Sequence, residues 1–420
     1  MKIKRIYNYI IRSCKDFVRN ISRHLNDSNS LKADYVNWLF SRNNQKSEEF
    51  VDITEDYIET NAMIPKVISF YLPQYYETPY NNEHFGKGFT EWNNVTKAIP
   101  QYTGHNQPQL PIDLGFYNLK NVDTMYRQIE LAKKYGIYGF CFYYYWFSGE
   151  TLLEKPILNF LNDKNLDFPF CLMWTNETWT SVWGDGNHKK VIKQQELLDN
   201  DDEKFVNDFL KYIKDERYIK IGGKPLLIIY QTQKFERERF KQFLNNLRTK
   251  IKDLGYEGIY LLTTNAGDAE VSVKEFLVEG IIEFSHQSLP IQKYEKDLGN
   301  CFINKDFQGK ILDIEEALKN NAHIVQNTYK TFRCVYPGWD NTARKAYKSG
   351  CYVFDMTPKT FKKWFSDVVN WTKNNHTTDE QLVFVNAWNE WAEGAHLEPD
   401  RKYGYGYLQA IKDVLEETKN

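Results

Sequence analysis

The segment YGIYGFCFYYYWFSG, residues 135–149, is a nearly continuous run of aromatic, β-branched and small residues that ends in a serine–glycine pair. Such a run predicts a β-strand, which we place at residues 138–145. A helical pattern precedes it at 120–135 and another follows at 151–161. This alternation of strand and helix is typical of βα units around a parallel sheet.

Working outward from this strand, seven similar runs predict further strands. They are VISFY (67–71), FPFCLMW (168–174), PLLIIY (225–230), GIYLLTT (258–264), IIEFS (281–285), FRCVY (332–336) and LVFVNAW (382–388). Further helices are predicted at 202–214, 236–254, 270–279, 312–329, 359–375 and 405–418. Eight strands that alternate with helices predict an α/β protein with a (β/α)8 TIM barrel. The rival doubly wound sheet usually has a glycine-rich turn after its first strand, and VISFYLPQYYETPY has none.

Composition narrows the classes of function. The chain has 420 residues, 42% of them hydrophobic and 16% aromatic, with a formal net charge of −2. This composition supplies a large core and excludes a disordered chain. The six cysteines are far apart without a CxxC pair, which argues against a zinc finger or a disulfide scaffold. Tyrosine and tryptophan rings suit the CH faces and hydroxyls of sugars.

The first 26 residues differ from the rest of the sequence. They carry seven Lys or Arg against one Asp, and their apolar residues recur at three- and four-residue spacing. This predicts a basic amphipathic helix that either lies on an anionic membrane surface or packs on the protein. We therefore divide the chain into a helical extension with a polar linker, residues 1–62, and the barrel, residues 63–420. Without a signal peptide or spanning segment, we expect a cytoplasmic protein, located at the inner face of the membrane if the helix binds lipid.

In a TIM barrel the chemistry lies at the C-terminal ends of the strands. The residues there are aromatic, amide or carboxylate side chains, a combination that fits a carbohydrate cleft. The predicted substrate-binding residues are Tyr71, Gln74, Trp92, Tyr143, Tyr145, Trp146, Trp174, Asn176, Glu177, Trp179, Tyr230, Trp339, Asp340, Trp388, Asn389 and Trp391.

Glu390 and Glu393, in NAWNEWAEG after the eighth strand, are the candidate catalytic pair. Chemistry at a glycosidic bond needs proton transfer to or from a weakly basic oxygen, and paired carboxylic acids supply it. Trp388 and Trp391 would shield the pair and raise the pKa of one member. The alternative interpretation is a turn whose two acids are solvated.

Glu177 is an independent candidate for a second acid or a sugar contact, or else a surface acid. The histidines lack metal-ligand spacing, so we expect no metal and no cofactor. Basic residues do not cluster outside the N-terminal segment, so we expect no nucleic-acid partner.

Six long motifs together resemble one family. They are FYLPQYYETPYNNEHFGKGFTEWNNVTKA (70–98), QPQLPIDLGFYNL (107–119), the segment 135–149, FPFCLMWTNETW (168–179), PGWDNT (337–342) and NAWNEWAEGAHLEPDRKYGYGYL (386–408). They resemble the WbsX-type glycosyltransferases of bacterial O-antigen and capsule synthesis, which are related to glycoside hydrolase family 99. That family implies a (β/α)8 barrel and retaining endo-mannosidase chemistry.

The family 99 motif NEWHEG aligns with residues 389–394. By resemblance, Glu390 would assist the attack of the sugar 2-hydroxyl on the anomeric carbon, and Glu393 would be the general acid and base. Ala392 departs from the motif, because the hydrolases carry His there.

Three functions follow as hypotheses. The first is a glycosyltransferase of cell-surface polysaccharide synthesis that acts on an oligosaccharide or lipid-linked glycan. The alternative is a retaining endo-glycosidase or transglycosidase. The third is a glycan-binding barrel without catalysis. The presence of both glutamates argues against it.

Overall fold

The computed structural model describes residues 46–59, 64–102, 104–181, 190–284, 291–297, 303–345 and 350–419. Parallel strands form a ring with helices outside it. The ring strands, β1 to β8, are Lys66–Tyr71, Ile137–Phe147, Phe170–Trp174, Lys224–Ile229, Tyr260–Thr264, Gly280–Ile282, the β7 segments Thr331–Phe332 and Cys334–Val335, and Leu382–Val385. The helices, α1 to α11, are Pro79–Phe85, Trp92–Thr96, Val122–Tyr135, Lys155–Asn162, Asp201–Ile213, Arg237–Asp253, Ala269–Phe276, Ile314–Lys319, Thr342–Lys345, Pro358–Asn375 and Gly406–Glu417.

Short strands and 3-10 turns lie in the loops. The short strands are Glu150–Leu152, Trp179–Thr180, Val191–Lys193, Lys220–Ile221, Lys310–Ile311, Trp339–Asp340, Tyr352–Phe354, Asn389–Glu390 and Ala395–His396. The 3-10 turns are Thr232–Lys234, Ile291–Tyr294, Thr378–Glu380 and Trp391–Glu393.

The strands pair in chain order, and β1 pairs with β8 in parallel register, with Val67 opposite Val383. The seventh strand divides at Arg333: its first segment pairs with β6 and its second with β8. The ring is therefore continuous along the chain, and the predicted (β/α)8 barrel is confirmed.

One predicted helix is much shorter than expected. The interval 312–329 forms a helix only over Ile314–Lys319. Asn320 bonds its side chain back to the Glu316 carbonyl, and Asn321 takes a left-handed backbone with a φ of 54°. Asparagine tolerates that conformation better than other non-glycine residues do, so the helix ends there.

The alternation of strand β2 divides its aromatic residues between two environments. Tyr143 packs on Phe284 and Tyr145 on Trp179, both toward the C-terminal loops. Tyr144 packs on α5, and Trp146 donates from Nε1 to Asp208 of the same helix, 3.0 Å away. Successive side chains of a strand point to opposite faces. Tyr143 and Tyr145 therefore face the loops of the site, and Tyr144 and Trp146 face the helix layer.

Residues 46–59, which the sequence assigned to the linker, lie along α3 and α11. Val51 donates to the Tyr403 carbonyl at 3.1 Å and accepts from the Tyr405 amide at 2.9 Å. The Ile58 amide donates to the Lys134 carbonyl at 3.1 Å. This segment is therefore part of the barrel's outer layer.

The predicted amphipathic helix at 1–26 lies outside the described residues. None of the helices in the described part of the chain is long and apolar enough to cross a bilayer.

Arg333, the residue at which β7 divides, is expected to stabilise the folded protein. Its guanidinium is buried, bonds Glu283 at 2.6 Å and the Val325 carbonyl at 2.7 Å, and lies 4.1 Å from the Trp371 ring centre. Replacing Arg333 by Ala leaves Glu283 unpaired in a buried position, so we expect a loss of about 3–5 kcal/mol in unfolding free energy. Urea titration measures this loss.

The control is Lys274→Ala, which breaks an exposed pair with Glu270 on α7 and should not shift the urea midpoint measurably. A loss below about 1 kcal/mol for Arg333→Ala would show that the buried pair of Arg333 and Glu283 does not stabilise the closed ring of strands.

Candidate active site

The loop after β8 forms a tight hairpin that carries both predicted catalytic glutamates. Strand Asn389–Glu390 pairs antiparallel with Ala395–His396, and the turn Trp391–Glu393 connects them. Gly394 ends the turn with a φ of 60°, and a Cβ there would lie 2.9 Å from the Asp340 Cβ. A glycine is therefore required both by the backbone conformation and by the close approach. The hairpin places Glu390 and Glu393 side by side at the C-terminal end of the barrel.

Arg344, on α9, binds both carboxylates at once. Its Nη2 donates to Glu390 Oε2 at 3.0 Å and its Nη1 to Glu393 Oε1 at 2.5 Å. Its Nε donates to Glu91 Oε1 at 2.8 Å, the carboxylate that precedes α2. Three carboxylates thus surround one guanidinium, and we call Glu91, Arg344, Glu390 and Glu393 the carboxylate cluster.

Asp340 holds the helix that carries Arg344. Its Oδ1 accepts from the amide and the hydroxyl of Thr342, the first residue of α9, at 2.9 and 2.6 Å. Its Oδ2 contacts His105 Nε2 and accepts from Gln107 Nε2, each at 2.7 Å. Burial opposes both charges, but their attraction lowers the pKa of Asp340 and raises that of His105. Asp340 is therefore a positioning residue for Arg344.

The cluster favours binding of a proton. Burial raises the pKa of Glu390 well above its ordinary value, the Glu393 charge raises it further, and Arg344 lowers it by less. Burial also raises the pKa of Glu393, against the pull of Arg344. Because one positive charge cannot balance three negative ones in this largely buried cluster, the Glu390–Glu393 pair holds a proton more readily than two free carboxylates would. A neutral acid beside an ionised one is the arrangement that acid–base catalysis needs.

Three predicted substrate contacts lie close to the cluster. Besides burial, the charges of Glu390 and Glu393 raise the pKa values of Tyr143 and Tyr145, which shows that these phenols are close. Neither phenol donates a hydrogen bond to any residue that the structure describes. Burial and the charge of Glu177 act in the same way on Tyr230, whose pKa is raised.

Glu177 and Trp179 lie at the edge of the same region. Glu177 is paired with Lys234 at 3.5 Å, and burial raises its pKa. The Trp179 ring meets that of Tyr145 edge to face, with centres 5.1 Å apart. Gln74 is half-buried, and its carbonyl accepts from the Glu91 amide at 3.0 Å.

The remaining predicted contacts are buried, as Tyr143 and Tyr145 also are. Buried residues in this group are Tyr71, Trp92, Trp146, Trp174, Asn176, Trp339, Asp340, Trp388, Asn389 and Trp391. Trp174 packs on Phe205 and Phe243 in the helix layer. The Asn389 amide bridges the backbone of Leu72, at 2.7 and 3.0 Å. Trp174 and Asn389 therefore hold the frame of the site.

Beneath the hairpin, Glu398 organises several of these buried groups. It accepts from Trp391 Nε1 at 2.6 Å, Gln128 Nε2 at 2.7 Å and the Tyr117 hydroxyl at 2.9 Å. Burial raises the pKa of Glu398 to about 7. The Trp391 ring in turn stacks on His396 with centres 3.6 Å apart.

Sequence reasoning missed Glu91 and Arg344. Glu91 lies inside the quoted motif 70–98, directly before the predicted Trp92, and Arg344 follows PGWDNT by two positions. The available signal was electrostatic, because two carboxylates shielded by tryptophans need a cation nearby. Within the described residues no group of three or more His, Cys, Asp or Glu could hold a metal ion.

Comparison with known proteins identifies the family. The sequence matches the family described as Glycosyltransferase WbsX over residues 67–411. The chain belongs to the WbsX glycosyltransferase family. It is 37% and 36% identical over 350 residues to proteins named WxcX from two strains of Xanthomonas campestris pv. campestris. These alignments cover 83% of the chain but 49% of each relative, so the chain spans about half the length of the curated relatives it matches.

Solved structures agree with the barrel of this WbsX protein. A glycoside hydrolase-like protein aligns with a TM-score of 0.55 at 15% identity, over 88% of the chain and 98% of the other. The family 99 endo-α-mannosidase from Bacteroides thetaiotaomicron aligns with a TM-score of 0.51 at 12% identity, over 86% and 98%. These structures share the barrel fold with the chain, and the family match adds membership of a glycosyltransferase family.

The cluster predicts how stability depends on pH when Arg344 is replaced by Met. Without the cation, the raised pKa values of Glu390 and Glu393 rise further. A carboxyl whose pKa is raised by folding loses stability as pH rises through that value. The variant should therefore lose more stability at pH 8 than at pH 5, on the order of 3 kcal/mol at pH 8. Thermal melting at the two pH values measures the difference.

Arg127→Met is the control, because Arg127 pairs with Asp113, whose pKa is lowered. That carboxylate is ionised throughout pH 5–8, so the control should lose equally at both. A parallel loss for Arg344→Met would contradict the protonation argument.

Proposed function

We propose that this WbsX protein is a glycosyltransferase of bacterial cell-surface polysaccharide synthesis, of the O-antigen or capsule type. The observation that carries the proposal is the pair Glu390 and Glu393 on one guanidinium at the C-terminal end of the barrel. The donor is an oligosaccharide or lipid-linked glycan. Residues 1–26 would keep the enzyme at the anionic inner surface of the membrane that holds such a glycan.

The proposed chemistry gives each carboxyl a role in both steps. As the bond from the anomeric carbon to the leaving oxygen breaks, protonated Glu393 gives its proton to that oxygen. Glu390 takes the proton of the sugar 2-hydroxyl while the oxygen of that hydroxyl bonds to the anomeric carbon. An acceptor hydroxyl then reopens this intermediate, gives its proton to Glu393, and the 2-hydroxyl regains its proton from Glu390. The anomeric carbon is displaced twice, so its configuration is retained.

The same steps with water as acceptor would make the protein a retaining endo-glycosidase. This alternative draws support from the site, because two carboxylates bonded to the same guanidinium are close neighbours, as in retaining glycosidases. Tyr143 and Tyr145 beside the pair would bind sugar hydroxyls in either reaction.

Replacing either glutamate by Gln tests the assignment. We expect Glu390→Gln and Glu393→Gln each to reduce turnover by roughly 10²–10⁴-fold, because each keeps the side-chain shape and removes the ionisable group. The melting temperature should not fall, since each change removes one of three like charges. Glu203→Gln, on exposed α5 surface, is the control and should match wild type.

Mass spectrometry of lipid-linked intermediates in cells separates transfer from hydrolysis. If a deletion and Glu393→Gln stall at the same glycan lacking one residue, the enzyme is a transferase. Intermediates that grow longer or accumulate uncut would identify a glycosidase. Wild-type turnover in both glutamine variants would remove the catalytic assignment altogether.

A further inference from the structure

A single hydroxyl bonds the backbone on both sides of Glu390. The Tyr75 phenol donates to the Asn389 carbonyl at 2.5 Å and accepts from the Trp391 amide at 3.3 Å. Asn389 directly precedes Glu390 in the sequence, and Trp391 directly follows it. The two peptide groups that flank Glu390 are therefore tied to one atom.

The position of that hydroxyl is itself fixed by packing. Tyr75 is fully buried, and its ring centre lies 4.7 Å from that of Trp92 and 5.2 Å from that of Tyr117. Its carbonyl accepts from the Leu119 amide at 3.0 Å. Because the ring cannot rotate without losing these contacts, the hydroxyl is held at one point beside the hairpin.

The loop after β1, which carries Tyr75, also holds a second member of the carboxylate cluster. The Gln74 carbonyl accepts from the Glu91 amide at 3.0 Å. Two positions earlier, the Leu72 backbone is bridged by the Asn389 side chain. One short loop therefore sets the positions of two of the carboxylates that bind Arg344.

The Tyr75 phenol keeps its proton. Burial raises the pKa of Tyr75 well above its ordinary value, and the nearby charges of Glu91 and Glu390 raise it further. A phenol has one proton to donate, and the Asn389 carbonyl accepts it. Tyr75 therefore acts on the hairpin as a hydrogen-bond partner and not as an acid or base of the reaction.

We propose that Tyr75 is a positioning residue for Glu390: its hydroxyl clamps the two flanking peptide groups and so holds the carboxyl where it meets the sugar 2-hydroxyl. The inference rests on the proposed function, since it concerns the step in which Glu390 takes that proton. A displacement of about 1 Å in a reacting group can cost on the order of 10²-fold in rate. The clamp should therefore affect kcat rather than KM.

Tyr75→Phe tests the clamp, because it removes the hydroxyl and keeps the ring. The matched control is Tyr218→Phe, whose buried hydroxyl donates to the Leu226 carbonyl at 2.7 Å near the start of β4, away from the hairpin. Hydrogen exchange read by mass spectrometry should show the amides of residues 389–396 exchanging at least about tenfold faster in Tyr75→Phe. In Tyr218→Phe these amides should exchange as in wild type.

Release of fluoride from glycosyl fluorides reports on Glu390. The probes are α- and β-fluorides of neutral hexoses and their disaccharides, with free hexoses as acceptors. Fluoride leaves without a proton, so its departure needs the base Glu390 and not the acid Glu393. Tyr75→Phe should lower kcat by roughly 10–10²-fold with KM within about twofold, and Tyr218→Phe should match wild type within about twofold.

Combining Tyr75→Phe with Glu390→Gln shows whether the hydroxyl acts through Glu390. The double variant should be no slower than Glu390→Gln alone, because the group that the clamp positions has already been replaced. A change that merely loosens the fold would lower the rate further in either background.

Three results would overturn the clamp. They are wild-type exchange of the hairpin amides in Tyr75→Phe, wild-type kcat in that variant despite faster exchange, and a rate loss that multiplies with that of Glu390→Gln. Failure of the proposed function is distinct, because it would appear in the wild-type protein, which would release no fluoride from any probe. Hydrogen exchange would then still decide whether Tyr75 holds the hairpin.

Discussion

The bonds from one buried guanidinium to three carboxylates determine the organisation of this site. Arg344 reaches Glu91, Glu390 and Glu393 through its three nitrogens, and these groups come from three separate loops of the barrel. Without a cation, the burial of these carboxylates would be very costly. With one cation for three carboxylates, the pKa values of Glu390 and Glu393 are still raised, which favours binding of a proton. The ion pair therefore fixes where the loops after β1, β7 and β8 meet, and it holds beside one guanidinium two carboxyls whose pKa values are raised.

The rest of the frame serves this arrangement. Asp340 caps α9 and so sets the position of Arg344, while Gly394 lets the hairpin approach Asp340 closely. Glu398 holds Trp391 from below. Each of these groups is buried and hydrogen-bonded, so the carboxylates rest on a rigid support, as preorganised electrostatic catalysis requires.

The barrel was predictable because strand and helix runs alternate along the chain, whereas the choice of site-facing aromatics was not. In FYYYWF of β2 every position is apolar or aromatic, so no polar alternation shows which residues face the loops. Tyr143 and Tyr145 face the carboxylates while Trp146 and Trp174 fill the helix layer, a distinction of strand phase alone. The predicted length of the 312–329 helix was wrong for a local reason, because Asn321 takes a left-handed backbone conformation.

The pair Glu390 and Glu393 could be recognised from its motif, but its counter-ion could not, because Arg344 lies 46 positions before Glu390 and joins it only through the fold. This distance explains why the charge state of the site is a property of the tertiary structure. In the proposed reactions the same two carboxyls serve transfer and hydrolysis, so the choice between them would fall to whichever hydroxyl, that of a sugar or of water, reaches the anomeric carbon. We therefore propose that the groups that order the acceptor, and not the carboxylate cluster, decide the product.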